Sequence, residues 1–370
     1  MDNLAASYIA AGRIWDAIAI GEKLAADSER ILGSDHPETL MARDNLAISY
    51  RSAGRLVEGI AIGEKLVADR ERILGDQHPA TLDARYSLAS SYRSAGRIAD
   101  AIATEERVVT DRERILGPDH PDSLWARGNL GLSYESAGRT ADAVALDEQV
   151  VADCERVLGP DDPHTLTARA NLAISYRSAG RLDIAIPMQE KLIADRERII
   201  GTDHPATLSG RDHLAISYRL AGRSEDAIEV AEQLAAARAR VLGPRHPATL
   251  VARDNLAVCY RSGGRLDDAV RLSEEVVPLF EQVLGPDHPD TLWARQGLAD
   301  SCRKAGRIGQ AVMLGEQLLA DSERVLGPDH PYTSRARRSL ADSYHAAGRD
   351  EDAALLAAAP VADCERILWE

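Results

Sequence analysis

Between Pro37 and Ser52 the apolar positions Leu40, Leu46, Ala47 and Tyr50 fall at helical spacing, not at the alternation of a strand. Pro37 suits a first helical turn, where its missing N–H costs nothing, and Asp35 or His36 is placed to cap it. Gly54 closes that helix, because a left-handed C-terminal residue favours glycine. A second apolar stripe, Ile60, Leu66, Val67, Ile73 and Leu74, predicts a helix from about Leu56 to Leu74, ended by Gly75. Pro79 then opens the next unit. The pattern predicts two antiparallel helices joined by tight glycine turns.

The same pattern returns along all 370 residues. A Gly-Arg glycine recurs as Gly12, Gly54, Gly96, Gly138, Gly180, Gly222, Gly264, Gly306 and Gly348, always 42 residues apart. A second glycine series, from Gly33 to Gly327, keeps the same interval, and so does His-Pro from His36 to His330, except for Asp162-Pro163-His164. No insertion breaks the phase. One helix pair cannot bury its apolar faces alone, so neighbouring pairs must supply the core by stacking. The expected fold is all-α: a right-handed α-solenoid, or superhelix, of about nine antiparallel helix pairs with a 42-residue period. Residues 1–370 read as a single array whose first unit is truncated. No polar capping unit is visible at either end, which reads as a segment of a longer chain.

Composition narrows the function. Acids outnumber bases 59 to 44, a formal charge of −15, which argues against nucleic acid as a partner, since that needs Lys and Arg against phosphates. No apolar run approaches the ~20 residues of a membrane span, so no membrane partner is expected. The start has no signal-peptide pattern. Cys154, Cys259, Cys302 and Cys364 lie far apart without a CxxC, which fits a reducing, cytoplasmic setting and no disulfide or zinc framework.

Asn45-Leu46-Ala47, Tyr50, Gly54, Ile60 and the alanines Ala101, Ala143 and Ala185 resemble the tetratricopeptide repeat. The 42-residue unit with its GPDHPxTL junction is similar to the kinesin-light-chain type. The resemblance implies a scaffold whose first helices line a concave groove holding an extended peptide or a partner protein. The groove-lining positions it implies are Asp44, Asn45, Ile48, Arg51 and Ser52 and their equivalents. The asparagine recurs as Asn3, Asn129, Asn171 and Asn255, and is replaced by Ser87, His213, Gly297 and Ser339 elsewhere. The arginine recurs as Arg93, Arg177, Arg219, Arg261 and Arg303, with Glu135 and His345 breaking the series.

Physical chemistry supports the same face. Asn45, Ile48, Arg51 and Ser52 share one side of a helix. An amide carries both donors and an acceptor and can pair with a peptide unit, while an arginine fork selects carboxylates. The binding set is therefore Asn45, Asn129, Asn171 and Asn255 with Arg51, Arg93, Arg177, Arg219, Arg261 and Arg303, and arginines on an acidic protein favour an acidic partner. A second arginine series, from Arg43 through Arg85, Arg127, Arg169, Arg211, Arg253 and Arg295 to Arg337, never breaks. Neither does the glutamate series Glu22, Glu64, Glu106, Glu148, Glu190, Glu232, Glu274 and Glu316, so the two are expected to pair with each other as a structural ladder.

The His-Pro histidines are expected to be caps. One per unit puts neighbours on the order of 20 Å apart, too far for a shared metal ion. No catalytic residue, metal site or cofactor is expected, since no phosphate loop, GxSxG or HExxH occurs. Trp125 and Trp293 stand at one first-helix position, either anchoring a partner or packing the junction; Cys259 and Cys302 should be small buried groups. Pro187, Pro278 and Pro360 predict local kinks in second helices. The function expected is a protein-interaction scaffold; the alternatives are end-to-end self-association of exposed terminal faces and a sensor arm of a larger signalling ATPase or regulator.

Overall fold

A computed structural model describes residues 7–8 and 11–357. Among them the chain is helical throughout, with no strand. The helices are α1 (Ile14–Leu32), α2 (Pro37–Ser52), α3 (Leu56–Leu74), α4 (Pro79–Ser94), α5 (Ile98–Leu116), α6 (Pro121–Ser136), α7 (Thr140–Val157), α8 (Pro163–Ser178) and α9 (Leu182–Ile200). They continue as α10 (Pro205–Leu220), α11 (Ser224–Leu242), α12 (Pro247–Ser262), α13 (Leu266–Leu284), α14 (Pro289–Lys304), α15 (Ile308–Leu326), α16 (Pro331–Ala346) and α17 (Asp350–Ala357). Even-numbered helices are the first of each pair, odd-numbered ones the second.

The chain divides into two compact units, one ending at Asp195 and the other starting at Arg196, within α9. In the first unit α1 through α8 pack each against the next, and α2 lies on α4 and α6 on α8. In the second unit α10 through α17 do the same, with α10 on α12, α12 on α14 and α14 on α16. Within each unit first helices approach one another, so their outward sides form a face.

The expected local rules hold. His36 Nδ1 accepts the Glu38 N–H at 3.2 Å, and His78, His120, His204, His246, His288 and His330 cap their helices in the same way. Asp162 does so where the histidine is displaced, accepting from the His164 N–H at 2.8 Å. Gly54 and Gly75 take φ of +71° and +91°, the left-handed region in which a side chain is strained. A contribution the sequence reading passed over is the threonine after His-Pro. Thr39, Thr81, Thr207, Thr249, Thr291 and Thr333 donate their hydroxyls to the glycine carbonyl six residues back, at 2.7 to 2.9 Å, pinning the turn between pairs.

The core is built from the repeated apolar positions. Leu40, Leu66 and Ala84 form one cluster, Ile60, Leu88, Tyr92 and Ala101 the next. Burial of each leucine or isoleucine contributes about 1.5–3 kcal/mol. Cys154, Cys259 and Cys302 are free and buried, as small apolar groups. Helices α9 and α13 run through Pro187 and Pro278; Asn3, Pro360 and Cys364 lie outside the described residues.

The two charged series are ladders, but they do not pair with each other. Arg85 is buried and holds Glu71, fourteen residues back, at 2.6 Å and Asp111, twenty-six on, at 3.4 Å. Arg43, Arg127 and Arg295 use the equivalent glutamate and aspartate. Where these partners become Ala239 and Leu279, Arg253 turns to Glu275 at 2.7 Å. The glutamates of the other series accept tyrosine hydroxyls instead: Tyr50 on Glu22 at 2.6 Å, and likewise Tyr92 on Glu64, Tyr134 on Glu106, Tyr176 on Glu148, Tyr260 on Glu232 and Tyr344 on Glu316. The arginine five residues after the tyrosine lies over its ring, Arg97 at 4.2 Å from the Tyr92 centroid. Spacing showed two unbroken series; it did not show that each finds a nearer partner outside the other.

Candidate binding face of the first helices

The sequence-derived arginines are half-buried on the first helices, and Arg51, Arg93, Arg261 and Arg303 reach across to the next first helix. Arg51 on α2 donates to the Ser87 carbonyl on α4 at 3.3 Å. Arg261 on α12 makes the same bond to the Gly297 carbonyl on α14 at 2.9 Å and a second to Ser301 Oγ at 3.2 Å. Among the described residues neither guanidinium has a carboxylate within 4 Å, and burial pulls both below the ordinary arginine value. Arg93 differs: it bonds Ser133 Oγ at 3.1 Å and pairs at 3.2 Å with Glu105, a buried carboxyl of α5. Arg303 lies 3.8 Å from both Asp300 and Asp342. Arg177 and Arg219 are half-buried and engaged.

The asparagines share this face and are partly spent on the fold. Asn129 is buried; its Nδ2 donates to the Trp125 carbonyl at 2.7 Å and its Oδ1 accepts the Tyr86 hydroxyl at 3.3 Å. Asn171 Nδ2 donates to the Gly128 carbonyl at 3.2 Å, and Asn255 Nδ2 to Asp212 Oδ1 at 2.9 Å. Among the described residues neither amide oxygen takes a hydrogen bond. Asn45 is half-buried on α2. Beneath it, between α2, α3 and α4, a cavity of about 10 Å³ lined by Asp44, Ile48, Ser87 and Ser91 has the volume of a single water.

Both tryptophans pack on a tyrosine of a neighbouring first helix. Trp125 stacks 4.1 Å from Tyr86, under Arg112, and Trp293 lies 6.0 Å from Tyr332, under Arg335 at 4.4 Å. All four ring residues are half-buried.

Three acids are buried against the first helices: Asp254, at the Asp44 position already placed on the face, and two on second helices that the sequence reading did not single out. Asp254 on α12 and Asp147 on α7 are each pushed up to about 7, foremost by burial; Glu105 is raised for the same reason. The signal was there as departures from the repeat. Asp147 and Glu105 stand where other units carry Gly21, Gly63, Ala231 or Gly315, and Asp147 is matched by Gly131 where the other units have alanine.

Stacked helix pairs, with a first-helix face in each unit, define a repeat scaffold. A tetratricopeptide-repeat family model matches residues 1–58, 45–114, 171–239, 214–282 and 262–324, and a second of the same description matches 123–164. The chain belongs to the tetratricopeptide-repeat family. Its repeats are similar to nearly identical TPR-like repeats described as kinesin light chain from Podosopora anserina, at 31% identity over 55% of this chain and 97% of that one, with a TM-score of 0.49. A Rap protein complexed with competence and sporulation factor shares the fold at 12% identity, over 96% of this chain and 94% of that one, with a TM-score of 0.59. So does a signal transduction ATPase with numerous domains and a tetratricopeptide repeat sensor from Pyrococcus horikoshii, at 12% identity and a TM-score of 0.55, over 94% of this chain and 52% of that one. No curated protein matches the sequence. The protein is thus a member of a family of interaction scaffolds, and among its described residues no helix is long and apolar enough to cross a membrane.

Proposed function

We propose that the first-helix face of each unit binds a peptide or an extended segment of a partner protein, with acidic side chains of the ligand taken by Arg51 in the first unit and by Arg261 in the second. One observation carries this reading. These two guanidiniums are partly desolvated and bonded only to neutral oxygens, Ser87 O for one and Gly297 O with Ser301 Oγ for the other. A desolvated cation without an anion retains donors that a carboxylate would satisfy through a charge-assisted bond. The free amide oxygens of Asn171 and Asn255 supply acceptors for a ligand's backbone N–H, and the half-buried Trp125 and Trp293 supply apolar contact. Arg93, neutralised by Glu105, contributes less.

The test is binding of acidic peptides from a random library, measured against the chain and against Arg51→Glu/Arg261→Glu with helicity checked by circular dichroism. Charge reversal should weaken the acidic binders at least tenfold, about 1.4 kcal/mol, while leaving helicity unchanged. Equal affinity for both proteins refutes the assignment of these residues.

A further inference from the structure

Asp254 and Arg261 lie on α12 seven residues apart and converge on the same residue of α14. Arg261 bonds the Gly297 carbonyl. Asp254 is only 3% exposed, its Oδ1 has no hydrogen-bond partner, and a Cβ added to Gly297 would stand 3.4 Å from that oxygen. Other units carry asparagine, serine or, in His213, histidine at the Gly297 position; glycine places no side chain against the carboxyl. Beside it, Gln296 is also 3% exposed, with Oε1 unpartnered. The aspartate and the arginine do not close an ion pair within 4 Å, yet each acts on the other electrostatically.

We propose that Asp254 is a built-in competitor for Arg261: ionised, it offsets the guanidinium and disfavours a ligand carboxylate between α12 and α14; protonated, it releases Arg261 to take one. This rests on the acidic-ligand reading of the face given above and adds its regulation. The carboxyl is raised to about 7 by burial, with Arg261 opposing and Asp290 reinforcing, so the exchange falls near neutrality. The other charges brought by the packed helices are accounted for. From α10, Arg219 and, from α16, Arg335 act on Arg261 rather than on Asp254; α14 adds Asp290, Arg295 and Asp300. On α11, Arg238 is held by Asp212 and the Ala248 carbonyl, and on α13 Glu275 is held by Arg253. His213 of α10 is engaged, and the variant below isolates Asp254 from it.

The experiment measures binding of fluorescein-labelled hexaglutamate to the full chain by anisotropy at pH 6 and pH 8, a range in which the peptide's carboxyls, ordinarily near about 4.3, stay ionised. Wild-type protein should bind about tenfold tighter at pH 6, one protonation step spread over about one pH unit. Asp254→Asn should bind at pH 8 nearly as tightly as wild type at pH 6, closing most of that ratio. A carbon-13 titration of the Asp254 carboxyl in the free protein should show a midpoint near neutrality, and saturating peptide should raise it, as reciprocity of linked binding requires. If Asp254→Asn keeps the wild-type ratio, or if the carboxyl titrates below pH 5, this inference falls and the groove reading stands. If hexaglutamate binds at neither pH, both fall. If the variant does not fold, the carboxyl titration and its response to peptide decide the matter on wild-type protein.

Discussion

Asp147 offers a test of how the buried polar positions are held. Its side chain on α7 is 1% exposed, Ser175 Oγ donates to Oδ2 at 2.6 Å, and Oδ1 has no partner. Gly131 on α6 makes room, since a Cβ there would collide with Oδ1. The carboxyl is raised from 3.8 to about 7, by burial and then by nearby Glu135 against the Ser175 bond. At 1.36 kcal/mol per unit, keeping it ionised at pH 8 costs the fold up to about 4 kcal/mol. The folded value lies above the unfolded one, so the folded chain holds the proton more tightly. The associated stability is complete below about pH 4, drains away as pH rises, and is gone above about 7. Asp147→Asn removes the ionisation cost but buries an amide with an unmatched N–H, a penalty of about 1–3 kcal/mol. The variant should therefore be less stable than wild type at pH 4.5, by about 1 kcal/mol, and more stable at pH 8, by about 1–3 kcal/mol. Urea unfolding followed by circular dichroism at both pH values gives the sign, and hydrogen exchange in α6–α8 localises it, because repeat arrays need not unfold in one step. A midpoint shift of the same sign and size at both pH values would refute the reasoning.

Four further outcomes follow from the same geometry. Gly131→Ala should destabilise α6–α7 by about 1–3 kcal/mol, and Asp147→Gly in the same chain should restore it, because Ala47 and Gly63 occupy those two positions in an earlier pair; urea midpoints of the single and double variants check this. Thr249→Val should cost about 1–2 kcal/mol by leaving the Gly243 carbonyl without its 2.8 Å bond, read by the same unfolding. Tyr92→Phe should cost about 1 kcal/mol through loss of the 2.8 Å bond to Glu64, with the ring still under Arg97. His330 is held below the ordinary imidazole value by burial, so it favours the neutral form in which its Nδ1 accepts the Tyr332 N–H; its contribution is present above that value and lost as pH falls, and the protection factors of amides at the start of α16, corrected for the intrinsic slowing of exchange, should fall between pH 7 and 5.

The helix boundaries were legible because glycine, proline and histidine each act locally. Gly54 ends a helix through its own φ, and His36 caps through a bond two residues away, so a constant period shows both. The ladders were legible only as series. Arg85 chooses Glu71 and Asp111, and Glu64 accepts from Tyr92, because packing decides which of several charges is near, and a 42-residue period places all of them in phase. The binding face was legible in outline. That Arg51 and Arg261 lack carboxylates while Arg93 has one depends on Glu105, a substitution on a second helix that no first-helix pattern contains. Trp125 and Trp293 were recognisable as breaks, whereas their tyrosine partners, Tyr86 and Tyr332, occupy two different repeat positions and so form no series.

The breaks themselves obey a rule that the strict repeats hide. Arg245 stands where Asp35, Asp119, Asp203 and Asp287 accept Arg72, Arg156, Arg240 and Arg324 from thirty-seven residues on; there the later residue is Gln282, which accepts from Arg245 at 2.7 Å. With Cys302 in place of the tyrosine, Glu274 is reached instead by Gln310 at 3.3 Å, and it keeps at 3.5 Å the Arg307 contact that Arg97 makes with Glu64. Asp147 comes with Gly131, and Asp254 faces Gly297. Departures of this kind are answered by a residue in contact with them, and Glu105 by the regular Arg93, which is what nearest-neighbour stacking demands: a side chain is fitted to the pair beside it rather than to a distant core. A pair moved to another place in the array should therefore lose stability through its two new neighbours even though its own 42 residues are unchanged, and the loss should be largest for the pair of α6 and α7, whose buried carboxyl is held by Ser175 of the next pair. Unfolding of an array with that pair exchanged for α12 and α13 would show no change if the units were interchangeable modules.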